Sequence, residues 1–169
     1  MNLMMTETMD IAKQILERDG YTCVACKRGV CCEKTGGHEN VADCENAADE
    51  NTIYSSVRRG VAPLLGWLDE GISFRDYFVA DKVIGKGAAF LYILLNAENV
   101  FGQVVSEHAY KVLKEHGINI TYGELVPAIQ NRDRTGFCPI ESAVLQIEEP
   151  GKALSVIRDT LEQLRRGDN

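Results

Sequence analysis

Two lysines, an aspartate and a glycine lie in the short polar segment from Asp81 to Lys86, between two apolar runs. Lys82 and Lys86 are four residues apart, so on a helix both side chains would lie on one face and add to one positive field. Backbone N–H groups at a helix start also attract anions. With Gly85 in the turn, this spacing predicts an anion pocket. The alternative is that Asp81 caps the helix and that water solvates the two lysines.

A second cationic segment, Arg58-Arg59-Gly60, comes directly before another predicted helix, which runs from Gly60 to Leu68. Pro63 falls in the first turn of that helix, where a missing N–H group has no cost. We expect this segment to face the Asp81–Lys86 segment, so that two helix starts and their cations form one pocket.

The loop over residues 131–141 contains most of the candidate catalytic groups. Cys138 lies at a predicted helix start, where a cysteine can be activated as a nucleophile. Glu141 and Asp81 are candidate acids or bases. In the alternative interpretation the loop is stiffened by Pro139 and closes the ligand pocket without catalysing a reaction. Its ligand-lining candidates are Asn131 and Arg132.

Ser106 precedes a predicted helix over Glu107–Glu115, which Gly117 ends. A capping role is enough to explain Ser106. Glu107 could pair with a pocket lysine or act as an acid or base. Because this helix begins at the sheet edge where α/β proteins place ligands, we include Ser106 and Glu107 in the predicted ligand site.

Five of the six cysteines fall within one 22-residue stretch. Cys23 and Cys26 lie in a predicted strand, where residues three apart face opposite sides, so we expect them to fill core positions. The other three are Cys31, Cys32 and Cys44, which with His38 could form a redox or metal site. They belong to a predicted surface insertion over residues 31–51, rich in Gly, Asn, Asp and Glu.

The composition predicts one soluble domain over residues 1–169. The net charge of -7 argues against nucleic-acid and anionic-membrane partners, because both require a basic face. No apolar run is long enough to span a membrane, and no signal peptide is visible, so we expect a cytoplasmic location.

Hydrophobic periodicity places the remaining elements. The predicted helices are Met9–Arg18, Gly60–Leu68, Ala88–Leu95, Glu107–Glu115, Ile140–Ile147 and Pro150–Arg166. The predicted strands are Tyr21–Lys27, its hairpin partner Val30–Glu33, Tyr54–Val57, Tyr77–Ala80, Val100–Val105 and Ile118–Tyr122. A hairpin followed by strand–helix alternation predicts a three-layer α/β/α sandwich with a mixed, mostly parallel sheet of about five strands.

Four ordered motifs give the chain a family resemblance. They are Arg59-Gly-Val-Ala-Pro-Leu64, Val79-Ala-Asp-Lys-Val-Ile-Gly-Lys86, Ser106-Glu-His-Ala109, and Asn131-Arg-Asp133 followed by Gly136-Phe-Cys-Pro-Ile-Glu141. With the element order, they resemble an uncharacterised prokaryotic family that has a cytidine-deaminase-like fold and a domain of unknown function. The resemblance implies a fold and no reaction, and the cysteine-rich insertion departs from it.

Zinc-dependent deaminases place a His or Cys ligand set at two helix starts. In this chain the corresponding starts are Arg58–Gly60 and Asp81–Lys86, which contain no His or Cys. Protonated lysine cannot bind Zn²⁺, so we expect no metal, no cofactor and no zinc-dependent deamination. Because deaminase-like relatives commonly oligomerise, the resemblance also implies a homodimer.

The sequence therefore favours a protein that binds a small anionic, nucleotide-like metabolite in a cationic pocket. The competing hypothesis is a transferase or hydrolase that uses Cys138 or a carboxylate such as Glu141 or Asp81.

Overall fold

The computed structural model describes residues 3–28, 53–131 and 133–167. Its helices are α1 (Leu3–Arg18), α2 (Ala62–Asp69), α3 (Lys86–Leu94), α4 (Glu107–Glu115), α5 (Pro139–Ala143) and α6 (Pro150–Gly167). Its strands are β1 (Cys23–Lys27), β2 (Ile53–Ser56), β3 (Tyr77–Ile84), β4 (Asn99–Ser106) and β5 (Asn119–Val126). Within these ranges, no helix is both long and apolar enough to cross a lipid bilayer.

The five strands form one mixed sheet in the order β2-β1-β3-β4-β5. Strand β1 runs antiparallel to both of its neighbours, whereas β3, β4 and β5 pair in parallel. The predicted mixed α/β sheet of about five strands is therefore confirmed. The expectation that the sheet is mostly parallel is wrong, because β1 lies inside the sheet and both of its pairings are antiparallel. Among the described strands, two pairings are parallel and two are antiparallel.

Two hydrophobic clusters pack against the sheet. Cys23 and Ala25 belong to the larger cluster, whereas Val24 and Cys26 belong to the smaller one, as strand alternation requires. Helix α1 supplies most of the smaller cluster, and α2, α3, α4 and α6 supply much of the larger one. The prediction that Cys23 and Cys26 fill core positions is confirmed, since both are buried.

The strand at the centre of the sheet is longer than its sequence suggests. The predicted turn at Asp81 and Lys82 is wrong, because β3 continues to Ile84 and α3 begins at Lys86. The polar pair remains in the strand because its polar groups find partners there. The Lys82 N–H donates to the Thr22 carbonyl at 3.0 Å, and the Asp81 carboxylate accepts the Val83 N–H at 3.0 Å.

Strand alternation shifts by one residue at the same level in all three parallel strands. On β3, for example, Val79 and Ile84 both belong to the larger cluster although they are five positions apart, an odd offset that would place them on opposite faces of a regular strand. The residues that face this cluster are Val79, Asp81 and Ile84 on β3, Val100, Gly102 and Val105 on β4, and Ile120, Tyr122 and Leu125 on β5.

Several predicted elements differ from the observed ones near the chain's loops. Strand β2 matches the predicted Tyr54–Val57 strand to within one residue. Strand β5 continues to Val126, four residues beyond the predicted strand, and the predicted helix over 140–147 is the short α5. The predicted strand Val30–Glu33 and the cysteine-rich insertion lie outside the described residues.

Helices α3 and α5 approach each other at a glycine. A Cβ atom on Gly87 would lie 2.5 Å from Ile140 Cγ2, a methyl group on a β-branched side chain with little freedom to move. Glycine at this position therefore sets the distance between the two helices, and with it the position of Glu141.

We expect Gly87→Ala to lower the free energy of unfolding by about 1–3 kcal/mol, because the added methyl group overpacks the contact with Ile140. Urea unfolding measures the change. Gly151→Ala is the matched control, since no atom lies within 4 Å of its added Cβ, and alanine in a helix is neutral or stabilising there. Equal stability of the Gly87 and Gly151 variants would contradict the overpacking explanation.

Candidate functional site

The carboxylate of Glu141 joins three separate segments of the chain. Its Oε1 accepts a hydrogen bond from the Lys86 backbone N–H at 3.0 Å and another from the Ser106 hydroxyl. Its Oε2 accepts the Ile129 backbone N–H at 2.6 Å. Glu141 is only 3% exposed, so these bonds replace water for a buried charge. Both oxygens are thus engaged within the fold.

Ser106 is the cap of α4, as the sequence predicts. Its Oγ accepts the Ala109 N–H at 3.1 Å while its hydroxyl donates to Glu141. Glu107 follows it and is exposed on the first turn of α4. Within the described parts of the chain, Glu107 forms no ion pair with the lysines of the predicted pocket.

Gly85 and Cys138 begin the two helices that meet at Glu141. A Cβ atom on Gly85 would lie 3.2 Å from Ile129 Cγ1 and 3.4 Å from Glu141 Oε1, so glycine permits this close contact. Cys138 precedes α5, and its backbone N–H donates to the Ile129 carbonyl at 2.8 Å. The Cys138 side chain is half-buried and packs against the larger core cluster.

Asn131 organises the loop before α5. Its Oδ1 accepts the N–H groups of Thr135 and Gly136 at 2.9 and 3.3 Å, and its Nδ2 donates to Thr135 Oγ1 at 3.0 Å. The Asn131 side chain therefore stabilises its own loop, and its amide oxygen and nitrogen both have partners there. Arg132, the other predicted lining residue of this loop, lies outside the described residues.

Asp81 lies in a buried polar cluster with Tyr92 and Cys23. The Tyr92 hydroxyl donates to Asp81 Oδ2 at 2.5 Å, and the Cys23 Sγ lies 3.2 Å from the same hydroxyl. Burial raises the pKa of Asp81 to about 6, against the opposing effect of the Tyr92 hydrogen bond. Burial, followed by the charge of Asp81, also raises the pKa values of Tyr92 and Cys23 well above their usual range.

Lys86 is buried rather than solvated. Its Nζ donates to the Leu145 carbonyl at 2.7 Å and lies 3.7 Å from Glu148 Oε1. The expectation that Lys82 and Lys86 share a helix face is wrong, because Lys82 belongs to β3 and Lys86 begins α3. The first N–H group of α3 already donates to Glu141, so it is not available to bind an anion.

The predicted pocket residues are distributed over two clefts. Arg58 lines a cleft of about 460 Å³ between α2 and α6. Lys86 lines another cleft, of about 210 Å³, beside α4. The two clefts share no lining residue. Arg59 and Gly60 are exposed beside Arg58, and Lys82 is half-buried on β3.

Sequence reasoning missed the partners of Arg58. Helix α6 contributes Arg158 and Arg165 to the same cleft, and α2 contributes Asp69. The two arginines are seven residues apart, a spacing that places them on one face two turns apart. The spacing of the two arginines is visible in the sequence, but no local sequence signal shows that this face of α6 packs beside α2.

Among the described residues, no group of three or more His, Cys, Asp and Glu side chains is arranged to hold a metal ion. Cys31, Cys32, His38 and Cys44, the residues of the predicted redox or metal site, lie outside those residues. Their role stays a prediction.

Most of the chain matches a known protein family. A family model described as "TM1506: Domain of unknown function (DUF1893)" matches residues 41–161. The chain belongs to this family. The match contains Glu141 and its three donors, together with Arg58 and Arg158, whereas Arg165 lies beyond it. No curated protein matches the sequence.

A solved structure of a DUF1893 protein supports the fold. This protein, TM1506 from Thermotoga maritima, is 21% identical to the chain and superposes with a TM-score of 0.70. The superposition covers 92% of this chain and 89% of that one. At this identity the likeness concerns the fold alone, and the family description supplies no activity.

We expect Glu141→Gln to lower the free energy of unfolding by about 2–3 kcal/mol, because its amide NH₂ would face a donor and leave a buried N–H or hydroxyl group without an acceptor. Urea unfolding measures the loss. Glu107→Gln, an exposed neighbour of the same contact region, is the control and should change stability little. A Glu141→Gln variant as stable as the parent would show that the three donors do not depend on the carboxylate.

Asp81 should make the protein less stable as the pH rises from about 4 to about 6. Its pKa is about 6 in the folded state, against an ordinary value of 3.8, so the folded protein binds more protons in this window. Stability is then lost as the pH rises through the folded-state pKa, by about 3 kcal/mol in total.

Replacing Asp81 with Asn should flatten this dependence, because the amide cannot ionise. The measurement is urea unfolding at a series of pH values between 3.5 and 7, compared between the parent and the variant. Asp10→Asn, which changes an exposed carboxylate on α1, should leave the slope unchanged. If the Asp81 variant keeps the parental slope in this window, Asp81 does not titrate as its burial implies.

Proposed function

We propose that this DUF1893 protein binds a small anionic, nucleotide-like metabolite in the cleft between α2 and α6. The observation that carries the proposal is the charge of the cleft wall. Three arginines line it, namely Arg58, Arg158 and Arg165. Its volume of about 460 Å³ lies in the range of small-molecule sites.

Ion pairing leaves this cleft with a surplus of positive charge. Arg158 pairs with Asp69 at 2.5 Å across the cleft, and Glu162 pairs with Arg166. Arg58 and Arg165 have no carboxylate partner in the described parts of the chain. The planar guanidinium group suits bidentate binding of phosphate and carboxylate, so these two arginines are the expected anion contacts.

Arg58 is already held in place at the cleft. One of its Nη2 hydrogens is donated to the Ala62 carbonyl at 3.1 Å. A Cβ atom on Gly66 would lie 2.8 Å from Arg58 Nη2, so glycine makes room for the guanidinium group on the surface of α2. A contact group fixed before binding loses less conformational freedom when the ligand arrives.

The cleft also offers apolar surface beside its charges. Leu65 and Leu161 line it from α2 and α6, respectively. Small-molecule sites typically combine such apolar walls with a few fixed polar groups. A ligand with a ring attached to an anionic group, such as a nucleotide, would use both kinds of surface.

The resemblance to cytidine-deaminase-like proteins supports a nucleotide-like ligand. We propose that the α/β fold is of this kind, with helices layered on both faces of the sheet, and that its zinc ligands have been replaced by Arg58–Gly60 and Asp81–Lys86. Binding without zinc-dependent deamination follows from that replacement. A cytoplasmic homodimer, with neither nucleic acid nor membrane as a partner, completes the proposal and agrees with the net charge of -7.

The second candidate function is a transferase or hydrolase based on Cys138. The observation in its favour is a half-buried thiol at the start of α5. Glu141 and Asp81, the carboxylates proposed with it, already accept hydrogen bonds within the fold. Among the described residues, no hydrogen bond or ion pair joins Cys138 to Asp81.

Calorimetric titration with nucleoside mono- and diphosphates tests the binding proposal. We expect saturable binding of at least one of them, and Arg165→Gln and Arg58→Gln should each weaken it about tenfold or more, as the loss of a charged hydrogen bond implies. Arg75→Gln is the matched control, since it removes the same charge from an exposed loop outside the cleft. Cys138→Ala should bind as the parent does.

Failure of every nucleotide to bind would contradict this proposal. If Arg75→Gln weakened nucleotide binding as much as the cleft variants do, the proposal would also be contradicted. The loss of affinity would then follow from the change in net charge and not from the loss of a contact in the cleft. Turnover of a bound nucleotide that Cys138→Ala abolishes, without loss of affinity, would support the enzyme instead.

A further inference from the structure

We propose that the cleft beside α4 is a second binding site, which takes one small oxyanion such as inorganic phosphate, with Lys86 as its central contact. This cleft of about 210 Å³ lies between α4 and the segment that follows α5. It shares no lining residue with the α2–α6 cleft, so the inference does not depend on the proposed function.

The ammonium group of Lys86 has donors to spare. An ammonium carries three N–H donors, and its one hydrogen bond in the described residues goes to the Leu145 carbonyl, at 2.7 Å. Glu148 Oε1 lies 3.7 Å away, which is beyond hydrogen-bonding distance. Because the Lys86 side chain is only 6% exposed, water compensates little of its charge.

An acceptor in the cleft would accept the hydrogen bonds that the Lys86 ammonium can still donate. The cleft adjoins the Lys86 side chain, and its opposite wall is formed by α4. There His108 and Lys111, three residues apart, line the same space. An oxyanion between these walls could accept from Lys86 on one side and from His108 or Lys111 on the other.

The carboxylates of the cleft hold its cations only weakly. Glu148 is 75% exposed, and the Lys111–Glu115 pair is 3.8 Å apart with both side chains largely in water. An exposed pair such as Lys111–Glu115 contributes little free energy. The Glu148 carboxylate is itself largely in water and lies beyond hydrogen-bonding distance of Lys86, so an incoming anion can displace it. Glu148 thus acts as a stand-in anion that competes with the ligand for Lys86.

The size of the cleft selects the class of ligand. A volume of about 210 Å³ is below the range of typical small-molecule sites, whereas it holds a phosphate or small carboxylate with a few waters. A free oxyanion and a short acidic metabolite share this chemistry. They differ in their apolar part, which only Val112 and the Leu145 side chain would contact.

Backbone-amide NMR titration of the full chain with inorganic phosphate, at ionic strength held constant with NaCl, tests the proposal. We expect saturable shifts at His108, Lys111 and Gln146. Glu148→Gln should tighten this binding about threefold or more by removing the competing carboxylate, and Lys86→Met should weaken it about tenfold or more. Lys152→Met, at an exposed lysine paired with Glu149, is the control and should change nothing.

The Glu148 variant keeps the test decisive even if Lys86→Met does not fold. A purely structural Glu148 would leave phosphate affinity unchanged or lower when it is replaced, and either result overturns the proposal. Shifts that grow without saturation overturn it too, as do shifts confined to Arg58, Gly66 and Arg165, which would support the α2–α6 cleft alone. Acetate and short dicarboxylates, titrated in the same way, then separate phosphate from carboxylate ligands.

Discussion

The buried carboxylate of Glu141 is the contact on which the arrangement around α3, α4 and α5 depends. It accepts hydrogen bonds from Lys86 at the start of α3, from Ser106 at the start of α4, and from Ile129 in the loop after β5. A carboxylate taken out of water is stable only when such donors replace its hydration. The three donors therefore fix the ends of β3 and β4 relative to α5. Gly85 and Gly87 permit the close approach that these bonds require.

The cations of the predicted pocket are separated in the fold. Glu141 accepts the first N–H group of α3, and the Lys86 side chain extends from this helix start to the Leu145 carbonyl and the cleft beside α4. The Arg58 side chain instead contacts α2 at Ala62 and Gly66 and lines the cleft between α2 and α6. The cations are thus divided between two smaller clefts instead of lying in one shared crevice. Three arginines line the α2–α6 cleft together with Asp69 and Glu162, whereas Lys86 and Lys111 line the cleft beside α4 together with Glu115 and Glu148.

The sequence predicted the sheet well because the signals for its elements are local. Apolar runs, the Ser106 cap and Gly117 at the end of α4 gave element types and approximate boundaries. The alternation of Cys23 and Cys26 between the two faces also followed from strand periodicity. Strand β3 was predicted too short, because Asp81 and Lys82 have low strand propensity. Their strand conformation depends on partners distant in sequence, Tyr92 and Thr22.

By itself, the sequence determined the mixed α/β sheet, the buried positions of Cys23 and Cys26 and the cap of α4, and it contains the arginines and lysines that line the two clefts. Only the tertiary structure decided which of these cations lie together. Arg58 meets Arg158 and Arg165 because α2 and α6 flank the same cleft, although about 100 residues separate them along the chain. It also decided that Glu141 is a structural acceptor, since its three donors come from different segments. Hydrophobic periodicity shows on which face of its helix or strand a residue lies. Contacts between residues of different elements depend on how those elements pack together.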